Sequence, residues 1–139
     1  MKKILLFVIL SLSAFTLMAQ QDSWKIKINT KTLLNTAKED METNRKTVKS
    51  SDWKKNGNLE ILFTESEKNT WIRSFLFYDK DDNEILRKDS ITHAKISLKE
   101  LRKLFAGKKE IHIYTTKAPV DPNLAIRMRR VHLCTLRLP

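Results

Sequence analysis

Apolar and polar residues alternate with a period of two in SWKIKIN, NLEILFTE, EIHIYTT and the closing RMRRVHLCTLRLP, and this pattern limits the fold more than any other feature. Side chains alternate across a strand with the same period, so each run offers one face to a core and one to water. In the first run Trp24, Ile26 and Ile28 oppose Lys25 and Lys27. Further strands are expected over 32–35, 59–65, 71–78, 84–88 and 110–116, with an extended stretch over 91–96. The run TWIRSFLFYD is apolar on both parities, which fits an interior strand covered on both sides. Joined through SEKN to the strand before it, it reads as an antiparallel hairpin.

One stretch alone has the period of a helix. In SLKELRKLFAG, Ser97 can cap and Glu100 completes a capping box, Leu98, Leu101, Leu104 and Phe105 share a face, and Gly107 supplies the stop. The sequence therefore predicts a mainly β, antiparallel β-sandwich, open to an immunoglobulin-like layout, with one short crossover helix at about 97–106. The polar, aperiodic stretch 38–58 reads as a long loop anchored by Val48 and Trp53.

The chain begins with two lysines, an apolar run and Ala19, the three parts of a secretory signal peptide. The expectation is cleavage after residue 19, leaving 20–139 as a single soluble β-sandwich domain in the bacterial periplasm or medium. Its apolar run falls short of the roughly 20 residues that span a bilayer core. The only cysteine is Cys134, too far along to carry a lipid anchor and unable to form an internal disulfide, so the fold must rest on its core. In layout the chain resembles small exported bacterial β-sandwich proteins, a resemblance that transfers no functional residue.

Two glycines and three prolines leave no phosphate-cradling loop, which excludes a nucleotide-binding motif. No HExxH, GxSxG or CxxC occurs. Asp79, Asp81 and Asn83 occupy the first, third and fifth positions of a calcium loop, but Glu84 and Ser90 stand where such a loop needs glycine and glutamate, so a tight hairpin turn is expected.

The closing stretch concentrates chemistry. In a regular strand over 125–138, Met128, Arg130, His132, Cys134, Leu136 and Leu138 share the more apolar, inward face, and Arg127 and Arg129 point out. Arg130, His132 and Cys134 then read as structural residues, Arg130 needing a buried partner. A bulge near Arg129 and Arg130 would instead turn Val131 and Leu133 inward.

The formal charge is +11, and losing Lys2 and Lys3 with the leader lowers it to +9. Such a surplus favours anionic partners. The expectation is a non-enzymatic binding or interaction module meeting an anionic envelope polymer or an acidic protein through Arg127, Arg129, Lys99, Arg102 and Lys103, with no catalytic residue, cofactor or metal. The alternative is a metal-binding or thiol-dependent enzyme domain built on His112, His132 and Cys134.

Overall fold

The computed structural model describes residues 21–139; the signal peptide expected over 1–19 lies outside the described residues. Strand β1, Ser23–Ile28, shows the governing rule: Trp24, Ile26 and Ile28 are buried while Lys25 and Lys27 stay at the surface. β2, Lys31–Thr36, returns beside it. The turn between them leans on Gly57, because Asn29 accepts the Asn58 N–H through its side chain at 3.0 Å and lies where a Cβ on Gly57 would stand. Glycine there leaves the Asn29 amide the room to make that bond.

The stretch read as a loop is structured. It holds β3, Arg45–Thr47, and helix α1, Ser50–Lys54, with Val48 buried and Trp53 packed against the core. No apolar periodicity announces β3 because it is held by backbone pairing along the last strand. The chain continues through β4, Asn58–Thr64; β5, Ile72–Tyr78; β6, Glu84–Asp89; β7, His93–Ser97; α2, Leu98–Leu104; β8, Glu110–Ala118; and β9, Val131–Arg137.

These strands form two sheets in a β-sandwich-like fold, ordered β2-β1-β4-β7 and β3-β9-β8-β5-β6. All pairs are antiparallel except β3 with β9. The expected β4–β5 hairpin does not form: the link between them crosses from one sheet to the other, and β5 pairs with β6 and β8 instead. Both faces of β5 are covered, as its apolar run requires.

Between the sheets lies one core, in which Ile26, Leu59 and Ile61 meet Phe75, Phe77, Ile111 and Ile113. Each such side chain contributes about 1.5–3 kcal/mol when fully buried. Helix α2 forms where read, within two residues. The Ser97 hydroxyl accepts the Glu100 N–H at 3.2 Å, Leu98 and Leu101 are buried, and Gly107 follows with φ of 74°.

β9 departs most from the sequence reading. It starts at Val131, six residues later than expected, and every residue from 120 to 130 is exposed. Opposite it, Ile113 pairs with Cys134 and Tyr114 with His132, so Leu133 is the extra residue of a bulge. Leu133 and Cys134 therefore both enter the core, and His132 turns to the outer face beside Tyr114. The inward set of the regular-strand reading is thus corrected in part: Met128 and Arg130 are exposed and His132 is buried on the far face, while Cys134 and Leu136 are core residues and Leu138 packs against the core.

Candidate functional site

At the end of the sandwich where β8 finishes and β9 begins, a cleft of about 270 Å³ opens. Its deep wall is a stack. The Trp24 indole donates its N–H to the Leu133 carbonyl at 3.0 Å, which ties the sheets together, and its ring lies parallel to Phe63. The Arg73 guanidinium lies over the other side of the aromatic pair, 3.8 Å from the Phe63 ring centre. Arg73 is the second residue of the apolar strand β5 and is almost wholly buried.

Register explains its partners. Arg73 sits opposite Lys117 on β8, so both side chains reach Glu65, at 2.9 and 3.2 Å. Arg73 also donates to the Thr115 hydroxyl at 3.0 Å, while its second terminal nitrogen makes only a 3.9 Å approach to Asp22. Burial pushes the Asp22 carboxyl up, but hydrogen bonds from Ser66 and the charges of Arg73 and Lys117 outweigh it and hold the group below the usual range.

The outer wall is Arg127, Met128 and Arg129, with Trp71 at the rim. Arg129 pairs with Glu39, whose other oxygen accepts the His132 N–H at 2.9 Å. Arg127 has no ion pair among the described residues. Arg73, Lys117 and Arg129 thus meet three carboxylates, Asp22, Glu65 and Glu39, while Arg127 meets none among the described residues. The cleft is small against the 300–1,000 Å³ usual for organic ligands, so it suits one charged group or side chain. Two hollows adjoin it: one shares Trp71 and Arg73 and reaches Glu65 and Thr92, and another shares Met128 and reaches Leu124.

The structure divides the basic residues named from sequence. Arg127 and Arg129 line the cleft, whereas Lys99, Arg102 and Lys103 lie on α2 at the opposite end, where Leu138 beyond β9 bonds to the Lys109 carbonyl. Arg102 is engaged there, donating to the Trp53 and Lys55 carbonyls at the end of α1. Lys99 and Lys103 are exposed.

Arg130 is not buried and inward. Its guanidinium pairs with Asp82 at 3.0 Å and lies 4.6 and 4.5 Å from the ring centres of Tyr78 and Tyr114. The DKDDNE turn supplies that partner and uses up its other ligands internally. Asp79 accepts from the Asp81 and Asn83 backbones, from the Asn83 amide, and from Lys108 at 2.7 Å. These contacts, Lys108 first, hold its carboxyl far below the usual range. A calcium ion would have to displace a lysine.

The bulge also separates the residues of the enzyme alternative. His112 and His132 share the outer face with Thr135, which lies 2.8 Å from the His132 Nε2, and His112 reaches Glu110 at 2.8 Å. Cys134 faces the opposite way into the core, where burial pushes its thiol up to about 12. Among the described residues no thiol–imidazole pair exists. Burial and the neighbouring His112 lower the His132 pKa, and its Nδ1 has no partner. Among the described residues no three His, Cys, Asp or Glu side chains gather to hold a metal.

The sequence reading missed Arg73, Lys117 and Trp71. A lone arginine inside IRSFLFY was the available signal, since a charge within a doubly apolar run must find a partner. Comparison with protein-family models, with curated proteins and with solved structures finds no match to this chain.

Proposed function

We propose that the protein is an exported, non-enzymatic binding module that holds an anionic group of an envelope polymer or acidic protein in the Arg73–Arg127 cleft. One observation carries this reading: cations from β5, β8 and the approach to β9 converge on an aromatic-floored hollow in which Arg127 has no ion pair among the described residues. A guanidinium already seated on a ring and partly bonded loses little freedom on meeting a carboxylate or phosphate. Low net attraction from the paired cations would be offset by the +9 charge of the chain without its leader, which draws anions in from solution.

Titration with polygalacturonate and with a glutamate-rich peptide, by calorimetry at rising salt, tests the reading. Binding of at least one polyanion should weaken with ionic strength and fall further when Lys117→Gln and Arg127→Gln are combined. Loss of equal size from Lys99→Gln with Lys103→Gln would refer the binding to overall charge and refute the cleft.

A further inference from the structure

We infer that the segment from Val120 to Arg130 is a docking loop that seats this end of the sandwich on an anionic lipid surface. The inference rests on the proposed anion-binding cleft and names the carrier of the anion, a lipid headgroup.

The segment is the one part of the described chain where large apolar side chains crowd outside the core. Val120 is 61% exposed, Leu124 53%, Ile126 42% and Met128 57%, and Trp71 at 36% stands across the cleft from Met128. No residue from 120 to 130 is buried. The loop is held from its sides: Asp121 accepts the Asn123 and Leu124 N–H groups, Arg129 pairs with Glu39, and Arg130 pairs with Asp82. A protruding apolar cluster is costly in water and gains when it enters an apolar medium.

Charge decides what that medium is. Lys117, Arg127 and Arg129 line the cleft that shares Met128 with the apolar hollow of Leu124 and Ile126, so entry of Leu124, Ile126 and Met128 would bring these cations to the headgroups. Exposed apolar side chains with cations and a tryptophan beside them match the layers of a bilayer surface, where acyl chains, interfacial aromatic rings and phosphates follow one another. The cleft between Arg73 and Arg127 is of the size for a single phosphate or carboxylate group. No helix among the described residues is long and apolar enough to cross a membrane, so contact here would be with the surface.

The experiment uses the full chain in the form recovered from cells that express it, so that any leader is common to all variants. An environment-sensitive dye is attached to Leu124→Cys; Cys134 is buried and stays unlabelled. With vesicles of phosphatidylglycerol and phosphatidylcholine the dye should shift to the blue, and with phosphatidylcholine alone it should not. Association measured by flotation should weaken about tenfold or more in Ile126→Ser with Met128→Ser, and about fivefold in Arg127→Gln. An unshifted dye on anionic vesicles, or equal binding by Ile126→Ser with Met128→Ser, would overturn the docking loop. If polygalacturonate or the acidic peptide still binds in that event, the cleft reading survives and only the lipid assignment fails. Failure of both soluble polyanions and vesicles would end both.

Discussion

Replacing Arg73 by methionine keeps a long unbranched stem against Phe63 and deletes the charge. Three interactions go with it: the 2.9 Å bond to Glu65, the 3.0 Å bond to Thr115 and the guanidinium–ring contact. A hydrogen bond to a charged group contributes about 1.5–3 kcal/mol net, and a partly desolvated cation over a ring adds about 0.5–2 kcal/mol. Glu65 keeps Lys117 at 3.2 Å, so it is not orphaned, and the full penalty of about 3–5 kcal/mol for breaking a buried pair does not apply. These contributions are not additive and the methionine stem regains apolar contact with Phe63, so the expected loss is about 2–4 kcal/mol. Urea unfolding at pH 7, followed by tryptophan fluorescence, should show a lower midpoint at unchanged slope. Adding Glu65→Gln to Arg73→Met should cost less than Glu65→Gln alone, because only the pair with Lys117 is left to lose. A single-variant loss below about 0.5 kcal/mol would refute the claim that Arg73 anchors the cleft wall, since that is the range of an ordinary surface change.

Three further outcomes follow from local geometry. Gly57→Ala should destabilise by about 1–3 kcal/mol, because its Cβ would lie 1.7 Å from the Asn29 oxygen that bonds Asn58, and stability equal to the native chain would contradict that packing. His132 should titrate below the usual imidazole value of about 6.5 in a proton-resolved NMR titration. Its contribution to stability is then fully present above that value and is lost as pH falls below it, because the unfolded chain takes the proton first; a midpoint above the usual value would reverse the sign. Cys134, with its thiol pushed up to about 12, should react with a disulfide reagent only as fast as the protein unfolds, and prompt labelling of the native state would show that the thiol is accessible.

Where one side of a strand meets the core, the sequence was readable. β1, β4 and β8 alternate because nothing but the inter-sheet core sets their pattern, and α2 carries both its cap and its stop. β3 was not readable, since its residues Arg45, Lys46 and Thr47 are held by the β9 backbone and by Val48 just beyond. The Leu133 bulge has no glycine to mark it. A shift of one residue reverses every later side chain, so the bulge alone moved His132 away from Cys134. The alternation upstream of Val131 was real, but it belongs to an exposed segment with no neighbour to pair with. Arg127 and Arg129 were legible as outward cations. Their cleft was not, because Arg73 and Lys117 come from strands whose register no local pattern encodes, and Trp71 from the residue just before β5.

The central claim is that anions are held at the β8–β9 end and not by diffuse charge. Backbone amide shift mapping during titration with polygalacturonate tests it most directly. The account predicts that the largest shifts gather at Trp71, Arg73, Lys117 and Arg127 to Val131 and shrink as salt is raised. Shifts centred on Lys99, Arg102 and Lys103, or spread evenly over the basic surface, would contradict it.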